Sequence, residues 1–284
     1  MLGLRLSHVL HRTKIGNLPP SLKEPRSLES PPVGHQLQER QGIGWVAPPA
    51  DWLRGTLAAV SLRSGGVSNP PFDTLNLGRS AGDEISDVEE NERLLASALS
   101  LPGGAARARL DHGRDCVAVI SPGTYRGCDG LLTRSVELPL WLTVADCYPL
   151  FLAGDDCIGL AHCGWRGVRA GIVGALAGAV SVAGGNPASR LRAWIGPGIG
   201  PCCYPVRDEV AALFAPDHLR GASGARHLDL RAAIEADLTA AGVSEDGIDA
   251  CGICTSCEAE MFFSYRRDGA RSGRMAAVIW RRDS

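Results

Sequence analysis

Residues 141–167, WLTVADCYPLFLAGDDCIGLAHCGWRG, contain the clearest local pattern in this chain. Two apolar, strand-like runs at 148–152 and 157–161 flank the dipeptide Gly154-Asp155. A Gly-Asp pair between two such runs is typical of a β-hairpin with a two-residue turn. The segment therefore predicts two antiparallel strands at the centre of the domain.

This hairpin brings a thiol close to an imidazole. If it is symmetric about Gly154-Asp155, Cys147 faces His162, and opposed Cβ atoms lie about 4.5–5.5 Å apart. Such a pair can bind one metal ion or act as nucleophile and general base. Pro149 lacks a backbone donor, so we expect its strand to be an edge strand or to begin only after it.

Composition limits the classes of protein to consider. With 284 residues and 45% apolar content, the chain can form one large domain or two ordinary ones. The net charge of −2 favours neither nucleic acid nor an anionic membrane as partner. No apolar run approaches the length of a membrane span, and the start, MLGLRLSHVLHRTKIG, lacks the uninterrupted apolar segment of a secretory signal. Ten cysteines without such a signal indicate reduced thiols in the cytoplasm.

The chain divides into a tail and a folded part. Residues 1–43 are rich in Lys, Arg, Pro and Ser without a sustained period, so we expect a disordered tail there and a catalytic domain over 44–284. Further strands are predicted at 57–62, 105–110, 116–120, 140–144, 191–195, 248–253 and 275–280. Helices are predicted at 86–100, opened by a capping box at Ser86, and at 168–182, 207–214 and 230–241.

Two loops are candidates for a functional role. Arg166 lies in Gly-Trp-Arg-Gly, between a strand and a helix, where free amides and a planar guanidinium favour an anion. Pairing of Arg166 with a structural carboxylate is the alternative. The loop at 63–78 is rich in Gly, Pro and Asn, and loops of that length are often functional, although a covering loop is the simpler interpretation.

Three residues form a candidate metal site. His112, Cys147 and His162 would give a His₂Cys set with an open fourth position, which suits catalytic zinc. The spacing alone is weak, and the three residues can equally be a turn histidine, a buried thiol and a core histidine.

Two other motifs are less informative. Cys251, Cys254 and Cys257 have the spacing C-x₂-C-x₂-C, but no fourth cysteine follows at the usual distance, so we do not favour an iron–sulfur cluster unless another part of the chain supplies one. The stretch 196–204, GPGIGPCCY, departs from G-x-G-x-x-G and predicts no dinucleotide site.

Several blocks of sequence, taken together, resemble one family. They are SLRSGGVSNPPFDTLNLG, DGLLTRSVELPLWLTVADCYPLFL, AHCGWRG, IGPGIGPCCYPV and CTSCEAEMFFSYRRDGARSGRMAAVIW. In this order, over residues 44–280, they resemble the YfiH/laccase-domain family, whose members are called polyphenol oxidase, peptidoglycan editing factor or purine nucleoside phosphorylase. The resemblance implies a single α/β (α+β-like) domain with layered mixed β-sheets flanked by helices, related to a cysteine-hydrolase-like superfamily.

The resemblance also implies a chemistry. It implies zinc on His112, Cys147 and His162, with purine nucleosides and inorganic phosphate as substrates. The implied reactions are phosphorolysis of adenosine, inosine and 5′-methylthioadenosine, and deamination of adenosine. Arg63 and Arg166 are the residues we expect to hold phosphate, and Asn76 to contact the sugar or base.

One position departs from the family. The pair before His112 is Leu-Asp, where the family usually has Gln-Val, so we expect altered support of this histidine or altered substrate contacts.

Other functions compete with this interpretation. A multicopper oxidase is disfavoured, and zinc preferred to copper, because the seven histidines include no His-x-His pair. A metal-free cysteine hydrolase or deamidase would use Cys147 as nucleophile and His112 or His162 as base. A non-catalytic editing factor for peptidoglycan precursors is the third function considered. Monomer and homodimer both remain open.

Overall fold

Strands make up most of the ordered framework. The computed structural model describes residues 35–52, 55–223 and 225–282. Their strands are β1 (Gln36–Arg40), β2 (Ile43–Ala47), β3 (Thr56–Ser61), β4 (Ala106–Arg109), β5 (Cys116–Ala118), β6 (Gly123–Arg126), β7 (Gly130–Thr133), β8 (Leu140–Val144), β9 (Tyr148–Ala153), β10 (Ile158–Cys163), β11 (Arg192–Ile195), β12 (Leu219–Arg220), β13 (His227–Leu228), β14 (Ile248–Ala250) and β15 (Met275–Arg281).

Helices cover the outer faces of these strands. The α-helices are α1 (Ile85–Leu99), α2 (Trp165–Ala170), α3 (Ile172–Gly184), α4 (Asp208–Ala211), α5 (Leu230–Ala240) and α6 (Tyr265–Asp268). Short 3₁₀ turns occur at Ala188–Arg190, Pro216–His218, Glu245–Gly247 and Gly269–Arg271. No helix in the described part of the chain has the length and apolar character needed to cross a bilayer.

The strands form two large mixed sheets and one small hairpin. The seven-stranded sheet has the order β1-β2-β3-β15-β8-β4-β6, and the six-stranded sheet has the order β14-β11-β9-β10-β7-β5. Most neighbours are antiparallel, while β4 runs parallel to β6 and β8, β5 to β7, and β11 to β14. Strands β12 and β13 pair separately. The chain passes from the first sheet to the second between β8 and β9.

Three apolar cores define four layers. Leu142 and Val278 lie on opposite faces of the seven-stranded sheet: Leu142 packs towards the six-stranded sheet, and Val278 packs with α1. The outer face of the six-stranded sheet packs against α3 and α5. The order helix, sheet, sheet, helix confirms the prediction of layered mixed sheets flanked by helices.

The central hairpin forms as predicted, but its register differs. Gly159 pairs with Leu152 and His162 pairs with Pro149. Gly154 donates to the Cys157 carbonyl at 2.9 Å, so the two-residue turn is Asp155-Asp156, one residue later than predicted. This moves the pairing by two residues, which preserves the face on which each side chain lies.

The expectation for Pro149 is wrong. Its strand β9 is central, between β10 and β11, and begins at Tyr148, before the proline. The Pro149 carbonyl accepts from Gly196 at 3.0 Å, so the missing donor faces the same side, where β11 has already ended at Ile195. Pro149 therefore removes no hydrogen bond from the β9–β11 ladder, which ends at the pair Ile195–Leu150.

The helix predicted at 168–182 begins earlier and is interrupted. It starts at Trp165 and divides at Gly171, whose φ of 94° is in the left-handed region that favours glycine. Likewise α1 begins at Ile85 with no side-chain cap, so the predicted capping box at Ser86 does not form. The helix predicted at 207–214 shortens to α4.

The ordered part begins before residue 44. Strand β1 pairs with β2 although the sequence assigned it to the tail, because residues 36–40 supply the edge partner that β2 needs. The rest of the predicted tail lies outside the described residues. The boundary of the catalytic domain is otherwise untested, and stays a prediction.

Candidate metal centre and active-site cleft

His112, Cys147 and His162 come together at the boundary between the two large sheets. Their ligand atoms all lie within 4.8 Å of one another. The two imidazole rings are perpendicular, with centroids 4.8 Å apart. The structure thus brings together three residues that are far apart in sequence, each contributed by a different segment.

Each of the three residues has its own structural support. His162 lies in β10, inside the six-stranded sheet. Cys147 lies in the crossing between β8 and β9, directly after Asp146, whose φ is 84°. His112 follows β4 and itself has a φ of 60°. Two left-handed non-glycine residues this close to the cluster show that the surrounding contacts hold the backbone in place.

One buried carboxylate organises both histidines. Asp129 Oδ1 lies 2.9 Å from His162 Nδ1 and accepts from the His112 amide at 3.0 Å. Its Oδ2 accepts from the amides of Asp111 and Gly113 at 3.0 and 2.8 Å. Asp129 therefore fixes the ring of one histidine and the loop of the other.

A second carboxylate anchors the crossing that carries Cys147. Asp146 Oδ1 accepts from the Thr255 hydroxyl at 2.7 Å, and its Oδ2 accepts from the Arg266 amide at 2.6 Å. The Asp146 carbonyl accepts from the Ile199 amide at 2.9 Å. These bonds tie Cys147 to the segments that follow β11 and β14.

The Gly-Trp-Arg-Gly motif packs directly on the cluster. A Cβ on Gly164 would lie 3.0 Å from Cys147 Sγ and 3.4 Å from His112 Cδ2. A Cβ on Gly167 would lie 2.8 Å from the Gly113 carbonyl oxygen. Both glycines allow the start of α2 to approach the cluster more closely than any other residue would.

The thiol and the buried histidine favour opposite charges. Burial opposes ionisation of Cys147, but the charge of His162 and hydrogen bonds from both histidines lower its pKa to about 6. Burial also opposes protonation of His162, but the Cys147 thiolate and Asp129 raise its pKa to about 9. Without a metal the pair is therefore a thiolate and an imidazolium near neutral pH.

The donor set fits a tetrahedral metal ion with one open position. Asp129 occupies Nδ1 of His162, which leaves Nε2 for a metal, and a carboxylate behind a ligating histidine is the usual outer support. Two imidazoles and a thiolate suit zinc. The same three side chains also fit a nucleophile and base, with Asp129 orienting the base.

A large cleft opens over the cluster. It measures about 1390 Å³ and is lined by His112, Cys147 and His162 together with aromatic and arginine side chains. Four arginine–aromatic pairs line it, with the guanidinium carbon 4.2–5.6 Å from the ring centroid. They are Arg107 on Trp141, Arg166 on Trp165, Arg266 on Tyr204 and Arg274 on Tyr265.

The cleft has a surplus of positive charge. Two carboxylates line it, and both already have partners. Glu92 forms ion pairs with Arg79 and Arg107, and Asp146 accepts the two hydrogen bonds described above. Within the described ranges, no carboxylate forms an ion pair with the guanidinium groups of Arg166 and Arg274. The cleft is therefore suited to an anionic ligand.

Of the three residues predicted to contact substrate, only Arg166 lines the cleft. Arg166 is exposed and lines the cleft. Arg63 does not line it; its guanidinium instead donates to the carbonyls of Asp73 and Ala259 at 3.1 and 3.0 Å. Asn76 is fully buried, and its Oδ1 accepts from the Arg274 amide at 2.9 Å. Arg63 and Asn76 thus support the loop and Arg274 rather than reaching the cleft.

Sequence reasoning missed Asp129, Asp146 and the arginines that follow β14. Asp129 stands in an ordinary Asp-Gly turn, and nothing local distinguishes it from an exposed turn residue. Arg266 and Arg274 lie in one of the blocks that carried the family resemblance, which was the only available signal for them.

The family and fold of the chain are shown by comparison with known proteins. Residues 57–282 match a family model described as multi-copper polyphenol oxidoreductase laccase, and the chain belongs to that family. It is 35% identical over 266 residues to purine nucleoside phosphorylase YlmD of Geobacillus stearothermophilus, covering 86% of this chain and 97% of the relative. It is 37% identical over 243 residues to purine nucleoside phosphorylase YfiH of Escherichia coli, covering 83% and 98%. The crystal structure of YlmD from Geobacillus stearothermophilus superposes with a TM-score of 0.83 at 36% identity, covering 89% of this chain and all of that one. The YfiH/laccase-domain resemblance is therefore confirmed.

Proposed function

We propose that this chain is a zinc-dependent purine nucleoside phosphorylase acting on adenosine, inosine and 5′-methylthioadenosine, with adenosine deamination as a second reaction. The observation that carries the proposal is the convergence of His112, Cys147 and His162 at an arginine-lined cleft. The names of the relatives agree with a nucleoside phosphorylase.

Zinc would be held by His112, Cys147 and His162. When bound, it supplies a Lewis acid at its fourth position, which polarises a substrate oxygen or a water. Asp129 keeps the Nδ1 proton on His162, so that Nε2 remains free as a ligand. All three side chains line the cleft, so an ion held by them would be accessible to a substrate bound there.

Arg166 is the first candidate for binding phosphate. Arg274 is a second candidate, because it also lines the cleft. Guanidinium groups bind phosphate oxygens through two parallel hydrogen bonds. Arg274 is mostly buried, which lowers its pKa, so an anion bound beside it would stabilise its charged form. Asn76 contributes indirectly, since it holds the Arg274 backbone.

The two proposed reactions, phosphorolysis and deamination, change different bonds of the nucleoside. In phosphorolysis, a phosphate oxygen bonds to the anomeric carbon, the bond from that carbon to the purine nitrogen breaks, and the base leaves with that bond's electron pair and takes up a proton. The arginines orient the phosphate against the developing positive charge on the sugar. In deamination, water replaces the amine on the purine ring and ammonia leaves.

The test is product analysis on the zinc-loaded protein. Adenosine with phosphate is expected to give adenine and ribose 1-phosphate, whereas adenosine without phosphate gives only inosine and ammonia. His162→Ala should lose zinc and both activities, while His218→Ala, a histidine outside the cleft, should keep both. Full turnover by metal-free His162→Ala would remove the zinc mechanism. No product from zinc-loaded wild type would favour the non-catalytic editing factor.

The second candidate is a metal-free cysteine hydrolase or deamidase. The observation that favours it is the order Cys147, His162, Asp129, in which a thiolate, an imidazolium and an orienting carboxylate are in contact. Alkylation separates the two functions. Iodoacetamide should modify Cys147 only after a chelator removes zinc, whereas a free catalytic thiolate would react equally with and without chelator.

Copper remains the less favoured metal, and the cytoplasmic location and the choice between monomer and homodimer remain predictions.

A further inference from the structure

A second cluster of four cysteines lies outside the three-ligand site. Cys202 and Cys203 follow β11, and Cys254 and Cys257 follow β14. The four sulfur atoms all lie within 4.8 Å of one another. Cys257 Sγ is 3.5 Å from Cys202 Sγ and 3.4 Å from Cys203 Sγ. The C-x₂-C motif Cys254/Cys257 is thus joined by two consecutive cysteines, Cys202 and Cys203, that lie more than 50 residues earlier in the sequence.

We propose that Cys202, Cys203, Cys254 and Cys257 bind a second, structural zinc ion. Four thiolates around one zinc at about 2.3 Å lie about 3.8 Å apart. Two of the sulfur–sulfur separations, 3.5 and 3.4 Å, lie close to that value, and all four sulfurs lie within 4.8 Å of one another. In an iron–sulfur cluster the four thiolates are distributed over two or four iron atoms, so the set as a whole is wider than the one observed, in which all four sulfurs lie within 4.8 Å of one another. The compact arrangement therefore favours a single ion. Binding replaces the four S–H protons, which pass to solvent, and involves no redox change.

The backbone around the four sulfurs is arranged for such a site. Cys254 and Cys257 lie on one tight turn, closed by a hydrogen bond from the Glu258 amide to the Cys254 carbonyl at 3.1 Å. The Gly200 amide donates to Cys254 Sγ at 3.2 Å. A Cβ on Gly200 would lie 3.2 Å from Cys202 Sγ and 3.5 Å from Cys254 Sγ, so the absent side chain lets the backbone approach the sulfurs.

Arg267 fixes the turn from outside. It donates from Nη1 to the carbonyls of Thr255 and Ser256 at 3.1 and 3.2 Å, while its Nε and Nη2 pair with the Asp268 carboxylate at 2.8 and 2.7 Å. The cluster is partly exposed, with Cys202 and Cys257 at the surface, so an ion can enter.

The position of this zinc gives it a structural role. It would join the segment after β11 to the segment after β14, and both segments also reach the cleft. Tyr204 follows the Cys-Cys pair and lines the cleft, and Thr255 stands inside the C-x₂-C turn and holds Asp146. The second ion would therefore fix the wall of the cleft next to Cys147 without contacting substrate.

Zinc content measured on purified protein tests the proposal. We expect two zinc ions per wild-type chain by elemental analysis and native mass spectrometry, one at each site. Cys254→Ser/Cys257→Ser should retain one, and so should His112→Ala/His162→Ala. Cys251→Ala is the matched control, because Cys251 is three residues from Cys254 but outside the cluster, and it should retain two. Equal zinc content in wild type and Cys254→Ser/Cys257→Ser would overturn the proposal.

A spectroscopic measurement does not depend on the double cysteine variant folding. In the His112→Ala/His162→Ala protein, cobalt(II) should give strong sulfur-to-metal charge-transfer absorption and the visible bands of a tetrahedral site. The single exposed change Cys257→Ser should weaken both. Absence of these bands, or a disulfide between Cys257 and Cys202 or Cys203 as the main form in unreduced peptide maps, would overturn the proposal. This outcome is independent of the proposed phosphorylase activity.

Discussion

Replacing Asp129 by asparagine tests how the proposed metal centre is assembled. The substitution keeps the size and shape of the side chain but removes its charge and one acceptor oxygen. In the wild type, Oδ1 accepts from the His112 amide and lies 2.9 Å from His162 Nδ1, and Oδ2 accepts from two amides of the same loop. Whichever way the asparagine is oriented, its NH₂ group faces two N–H donors.

The expected cost follows from these bonds. Two hydrogen bonds to a charged acceptor are lost, at about 1.5–3 kcal/mol each, so the free energy of unfolding of the metal-free protein should fall by about 3–6 kcal/mol. Loss of the carboxylate behind a ligating histidine weakens metal binding by about 10–100-fold. Because the amides belong to the loop that carries His112, both histidine ligands are affected.

Two measurements check this expectation. Denaturant unfolding of the chelated protein gives the stability change, and competition with a chromophoric chelator gives the zinc affinity. Asp115→Asn is the matched control, because Asp115 is an exposed carboxylate near the same loop and should change neither quantity appreciably. Zinc affinity of Asp129→Asn equal to that of wild type would show that the carboxylate does not orient the ligands.

Three further predictions concern the cluster and the cleft. Gly164→Ala should weaken zinc binding by about tenfold or more, because the added Cβ would lie 3.0 Å from Cys147 Sγ. Gly174→Ala is the control: its added Cβ would have no atom within 4 Å, so this variant should bind zinc normally and stabilise its helix by about 0.5–1 kcal/mol. In metal-free protein, alkylation of Cys147 followed by peptide mass spectrometry should accelerate through about pH 6 and then level off, because a lowered pKa keeps the thiolate present down to that pH; a midpoint near the ordinary 9.0 would contradict the proposed charge pair. Arg166→Ala should raise the KM for phosphate by about tenfold, the loss of about 1.4 kcal/mol, in initial-rate assays. Arg169→Ala, on the same helix but outside the cleft, should leave that KM unchanged, and equal effects of the two would show that Arg166 does not bind phosphate.

Local pattern was sufficient for most strands and for the central hairpin. Alternating or continuous apolar runs predicted β3, β8, β9, β10 and β15, because these strands lie in the interior. Local pattern was insufficient for the hairpin register, because Gly154-Asp155 and Asp155-Asp156 are both acceptable two-residue turns. Only the hydrogen bond from the Gly154 amide to the Cys157 carbonyl distinguishes them. The edge strands β1 and β6 are short and partly exposed, so their sequences carry little hydrophobic signal.

The candidate site was only partly predictable for a related reason. The proximity of Cys147 and His162 followed from the hairpin, because a shift of two residues keeps the same face. His112 was proposed as a third ligand from its residue type, but no local pattern links it to the hairpin, and the family resemblance was the stronger support for including it. The four-cysteine cluster was half visible as C-x₂-C, but its second half comes from another segment, and only the pairing of β11 with β14 brings the two together.

The location of Cys147 in the crossing from one sheet to the other has a consequence for how the protein matures. His112 follows a strand of the first sheet and His162 belongs to the second, so no single sheet contains a complete set of ligands. If the three side chains bind a metal ion as proposed, neither sheet supplies all three ligands before the two have docked. The time course of metal uptake during refolding should therefore track the last step of assembly, and a loaded centre should mark chains whose two halves have met in the correct orientation.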